Sequence, residues 1–129
     1  MNRTEIQKKL GMVTTELIRE KGFISTVDVF IRLGLLDQKD VETWRLGRVP
    51  YLERVIHANL NKISFIMKTF RQNSLKGGLK PSWTSYRKWG KGAKHDLRFS
   101  KSGSPYIEEA YATHFVGGGR KSSAEEKRN

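Results

Sequence analysis

A mainly α-helical domain with a long central helix is what this sequence predicts, on three observations. Apolar residues recur every three or four positions through the first 73 residues, Gly or Pro punctuates each recurrence, and the 129-residue chain has no Cys to staple a loop-rich fold. Only 36% of residues are hydrophobic and 29% are charged. The regular apolar spacing nevertheless separates the chain from a disordered one. Its length suits one domain, expected over residues 1–116, followed by GGGRKSSAEEKRN from Gly117 to Asn129 as a flexible tail.

The elements follow in order. Thr4 and Gln7 form a capping-box pattern ahead of Ile6, Leu10, Val13, Leu17 and Ile18, and Gly22 stops that helix. Ser25 or Thr26 caps a short helix carrying Val27, Phe30, Ile31 and Leu33, closed by Gly34. Asp37 caps QKDVETWRL, closed by Gly47. Pro50 suits the first turn of the longest helix, expected to run to about Asn73 with Leu52, Val55, Ile56, Leu60, Ile63, Met67 and Phe70 as its core stripe. Ser82 begins a further short helix that places Trp83, Tyr86 and Trp89 on one face. WGKGAK is a loop, and LRFSKSGSPY predicts a small irregular or β element near 97–106. IEEAYATHFV fits a helix or a strand equally.

Charge is the strongest functional signal. Residues 1–61 carry ten basic and eight acidic groups, whereas residues 62–101 carry eleven basic groups against Asp96 alone. Residues 102–129 carry four of each, so the net charge of +12 sits almost wholly in one third of the chain. Such a one-sided field is self-repelling and would be relieved by a polyanion. Within it, KPSWTSYRKWGKGAKHDLRFSKSG interleaves cations with aromatic rings, the combination that neutralises phosphates and stacks unpaired bases. The expected nucleic-acid-binding residues are Lys68, Arg71, Lys80, Trp83, Tyr86, Arg87, Lys88, Trp89, Lys91, Lys94, Arg98 and Lys101. Core packing is the competing expectation for the three rings 83, 86 and 89, but it would leave the cations outside.

Other constellations carry less. The two helices around Gly34 have the lengths of a helix-turn-helix, but Asp37, Asp40 and Glu42 would meet the phosphates of a groove. Trp44, Arg45, Arg48 and Tyr51 cluster at the Gly47–Pro50 corner, where packing of Trp44 under the long helix is the favoured expectation. His57 reads as a packed or half-exposed histidine. His95 and His114 supply the one catalytic alternative, a metal-independent phosphodiesterase with His95 as base and His114 as acid. No catalytic residue, metal site or cofactor is expected, because neither ligand spacing nor a phosphate-binding glycine loop is present.

WRLGRVPYLERVI, LKPSWTSYRKWG and LRFSKSGSP with EEAYATHFV resemble a group of small bacterial cytosolic proteins. That resemblance spans most of residues 23–116 and implies no particular activity. MNRTEIQKKLGMV lacks an apolar run of signal-peptide length and no stretch approaches ~18 apolar residues, so cytoplasmic residence without a membrane partner is expected. The functional expectation is a non-enzymatic basic protein that binds RNA or single-stranded DNA. RNA, ribosomal RNA among the candidates, is slightly preferred over DNA. The alternative of another class is an interaction module docking an acidic protein.

Overall fold

A computed structural model describes residues 1–117. Helix α1 spans Arg3–Lys21 and buries Ile6, Leu10, Val13 and Leu17, four positions that share one face. Its cap lies two residues earlier than predicted. The Asn2 side chain accepts from the Glu5 amide at 2.8 Å and the Glu5 carboxylate accepts from the Asn2 amide at 2.9 Å. Gly22 closes α1 in the left-handed region, at φ 79°, with its amide on the Ile18 carbonyl. Strand β1, Phe23–Ile24, leads to Ser25, whose hydroxyl caps α2 (Thr26–Arg32) through the Asp28 amide. Helix α3 follows at Gln38–Arg45; Asp37 stands at its N-cap but makes no capping hydrogen bond.

The predicted continuous helix from Pro50 is broken into a 3₁₀ turn at Leu52–Val55 and a helix α4 at Leu60–Lys76. Tertiary hydrogen bonds explain the break. The amides of Leu52 and Glu53 donate to the carbonyls of Arg98 and Phe99, and the His57 amide donates to the Leu35 carbonyl at 2.8 Å. Asn59 then restarts the helix by accepting from the Lys62 amide at 2.8 Å. The core face of α4 is Ile63, Ile66, Phe70 and Ser74, with Met67 half-buried. Leu60, expected in the core, is 62% exposed because it now opens a helix. At 17 residues α4 is also shorter than the 19-residue α1.

Residues 80–83 are a strand, β2 (Lys80–Trp83), not the start of a helix. The ambiguous IEEAYATHFV resolves into both possibilities: helix α5 at Pro105–Ala112, then strand β3 at Thr113–Val116. The sheet is antiparallel in the order β1-β3-β2, with Ile24 opposite Phe115 and Trp83 opposite Thr113. Gly117 is buried and donates to the Gly22 carbonyl, so it belongs to the domain; the remainder of the expected tail lies outside the described residues.

No strand forms at 97–106; the segment is irregular up to Ser104, and α5 takes its last two residues. It is nonetheless core. Phe99 stacks on Tyr111 at 5.2 Å, Tyr86 meets Phe99 edge-on, and Trp44 packs against both Tyr86 and Phe99. Trp44 is therefore buried among these rings, and its indole N–H donates to the Arg98 carbonyl at 2.8 Å. Glu108 holds the segment from α5, accepting from the amides of Phe99 and Ser100 at 2.8 and 2.7 Å and from the Ser100 hydroxyl. No described helix is long and apolar enough to cross a membrane.

Candidate nucleic-acid interface

After β2 the chain turns through Thr84 and Ser85 into an irregular hairpin. The Leu97 amide donates to the Tyr86 carbonyl at 2.8 Å, the Lys88 amide donates to the His95 carbonyl at 3.0 Å, and Arg87 bridges Asp96. Its tip is WGKGAK, with Gly90 at φ 95° and Gly92 at φ 96°, a conformation that side chains rarely adopt. The predicted shared face of Trp83, Tyr86 and Trp89 does not exist, because strand and hairpin geometry separates the rings. Trp83 is 62% exposed on β2, Trp89 is 46% exposed at the tip, and Tyr86 is half-buried.

The hairpin is docked on the C-terminal end of α3. The Trp89 amide donates to the Arg45 carbonyl at 2.7 Å, and the Arg45 guanidinium lies between two rings, 4.6 Å from the Trp89 centroid and 5.2 Å from that of Tyr86. Burial lowers the pKa of Arg45, yet no carboxylate pairs with it among the described residues. Lys88 runs its stem over Gly47, where a Cβ would stand 2.8 Å from the Lys88 Cε, and its ammonium reaches the carbonyls of Trp89 and Lys91. Lys94 bonds the Gly90 carbonyl, and Arg87 lies 3.8 Å from Asp96, the one acid in the hairpin. Lys91 and Lys94 are exposed at the tip.

The remaining expected residues divide. Arg98 lies over the Tyr51 ring and bonds the carbonyls of Ser100 and Lys101, so it braces the 98–101 segment. Lys101 and Lys80 are exposed, Lys101 beyond that brace and Lys80 on β2. Lys68 and Arg71 line a groove formed by α4 with Tyr106, Ile107, Ala110 and Tyr111 of α5. Trp83 and Tyr86 line a second groove with Pro105, Glu108, Glu109 and Ala112. At about 100° per residue these two sets fall on opposite faces of α5. Lys68 and Arg71 are thus separated from the hairpin by the helix. The groove beside Trp83 also carries Asp96, Glu108 and Glu109, carboxylates that would repel a phosphate.

Arg45 is the residue that reading along the sequence set aside. The signal in the sequence is that WRLGR and YRKWGKGAK share a mix of cations and aromatic rings, but nothing local shows that the two segments meet.

The histidines do not assemble. His114 stacks on Phe23 at 5.1 Å, its Nε2 lies 2.8 Å from the Tyr86 hydroxyl and its Nδ1 3.3 Å from the Thr84 hydroxyl. Burial lowers its pKa, so the ring is neutral near pH 7, one nitrogen accepting and the other donating. Burial likewise pushes the Tyr86 phenol up to about 12. Both nitrogens of His114 are engaged, whereas His95 is exposed on the hairpin. His57 is exposed, contrary to expectation, with its Nε2 3.9 Å from Asp37. Asp37, Asp40 and His57 do converge, with one ligand-type atom of each within 4.8 Å of the others, but Asp37 and His57 are exposed and the positive end of α3 already accounts for the two acids.

No family model, curated protein or solved structure matches this chain.

Proposed function

We propose that this protein is a non-enzymatic, cytosolic nucleic-acid binder that takes single-stranded nucleic acid, RNA slightly ahead of DNA, on the 86–97 hairpin. The observation that carries the reading is the tip itself. Lys88, Lys91 and Lys94 share the hairpin with the half-exposed indole of Trp89, and Arg45 backs that indole from α3. Lysines neutralise successive phosphates, and an aromatic face stacks one unpaired base at about 1–3 kcal/mol. Gly90 and Gly92 let a sugar-phosphate backbone approach closely. Binding without cleavage is favoured because the half-buried His114 has both ring nitrogens occupied and offers no acid to partner a base at His95.

The test is fluorescence anisotropy of a labelled 20-nucleotide RNA, with the matching single-stranded and duplex DNA as comparators. The variant is Arg87→Glu, Lys91→Glu, Lys94→Glu, which spares Lys88 because its stem packs on Gly47. Micromolar or tighter binding to single strands at low salt, lost in the variant, is expected. Equal affinity of parent and variant, or absence of binding at low salt, would overturn the assignment.

A further inference from the structure

The groove between α4 and α5 has a volume of about 570 Å³, within the range of small-molecule sites. Ile63, Phe70, Ala110, Tyr111 and Phe115 give it an apolar wall, with the Phe70 and Phe115 rings edge-to-face at 5.9 Å. Two large apolar side chains flank the opening, Leu60 at 62% and Tyr106 at 81% exposure, in contact with water rather than folded over the wall. The one acid in the lining, Glu53, is already used: its carboxylate accepts from the Tyr111 hydroxyl at 2.7 Å and from the Lys101 amide at 3.0 Å.

The edge of the groove is cationic. Lys68 and Arg71 stand one helical turn apart on α4, the spacing at which two side chains converge on one group, and Gln72 adjoins them. Neither cation forms an ion pair among the described residues. An apolar cleft with two unpaired cations at its mouth is complementary to an anionic amphiphile. We infer that this groove binds a small amphiphile with an apolar body and a single carboxylate, the body lying against Phe70 and Phe115 and the carboxylate held by Lys68 and Arg71. Guanidinium and ammonium together satisfy both oxygens of such a head group. The site is independent of the hairpin, which lies across α5.

The experiment uses the full chain and sodium decanoate below its micellar concentration, with decanol as the uncharged comparator, followed by titration calorimetry. Decanoate is expected to bind one-to-one. Lys68→Ala with Arg71→Ala should weaken decanoate at least tenfold and leave decanol unchanged. Ala110→Trp, which fills the groove, should remove both; if that variant does not fold, Leu60→Asp at the exposed lip serves instead. Replacing the hairpin cations should leave decanoate affinity unaltered, so failure of this site and failure of the nucleic-acid site are told apart. Non-saturable uptake would overturn the inference. So would equal affinity for decanoate after loss of both cations, or sedimentation as a dimer that Leu60→Asp dissociates, which would assign the groove to a second copy of this chain.

Discussion

The guanidinium carbon of Arg45 lies 4.6 Å from the centroid of the Trp89 ring, while the Trp89 amide donates to the Arg45 carbonyl at 2.7 Å. One residue pair is thus joined twice, through backbone and through side chains. This fastens the tip of a glycine-rich loop to the end of a helix. The Arg45 Nε is buried without an acceptor, so the rings are its main company. Arg45→Ala should leave unfolding free energy within about 1.5 kcal/mol of the parent. It should also speed amide exchange across 88–95 and lower RNA affinity at least threefold. Arg45→Lys should not restore either property, because an ammonium has no plane to stack. Unchanged exchange would show that the backbone bond alone holds the hairpin.

Salt separates phosphate contact from other binding. The logarithm of RNA affinity should fall linearly with the logarithm of salt, by about 0.7 for each phosphate neutralised on a single strand. Neutralising Lys91 and Lys94 to Ala should reduce that slope by about 1.4 if each meets one phosphate. Titrations at four salt concentrations measure this, and an unaltered slope would move the contact elsewhere.

Leu60 and Phe70 occupy the same predicted stripe but different environments. Leu60→Ala should change stability by less than about 0.5 kcal/mol, since the side chain is mostly in water. Phe70→Ala should cost about 3–5 kcal/mol by opening a cavity under Phe115. Urea unfolding of both variants checks the break between the 3₁₀ turn and α4.

Glu108 supports the irregular 97–101 segment with three hydrogen bonds to one carboxylate. Glu108→Ala leaves the amides of Phe99 and Ser100 without their acceptor, and a loss of about 2–4 kcal/mol is expected. Glu108→Gln keeps one acceptor oxygen and should recover part of it, as read from the thermal midpoint of each variant.

His114 links folding to acid. Burial disfavours its charged form, so the folded protein releases this proton more readily than the unfolded chain, whose imidazole has the ordinary value of 6.5. The contribution of His114 is therefore intact above that value and is lost as pH falls below it, at no more than about 1.4 kcal/mol per pH unit. The parent should lose more stability between pH 7.5 and 5 than His114→Gln does. Parallel curves from urea unfolding would mean that the ring opens to water and protonates freely.

Local chemistry in the sequence determined the helical class, the start of α2 at Ser25 or Thr26, the stops at Gly22, Gly34 and Gly47, and the concentration of cations in one third of the chain. The caps and stops depend on residues within about a turn of one another, and the charge distribution on composition alone. What lies beyond a turn was settled only by the tertiary structure. Pro50 to Asn73 has one apolar period, but the carbonyls of Leu35, Arg98 and Phe99 capture the amides of His57, Leu52 and Glu53 and break the helix. Trp83, Tyr86 and Trp89 have helical spacing, yet pairing of β2 with β3 holds Lys80–Trp83 extended and sends the three rings to different surroundings. The twelve expected binding residues form one run in sequence, while α5 places Lys68 and Arg71 on a different surface from the hairpin. Arg45 and Trp89 are 44 positions apart and meet through a backbone hydrogen bond that no local pattern encodes. Periodicity reports which side of a residue prefers to be dry; it does not say which distant backbone will compete for its amide.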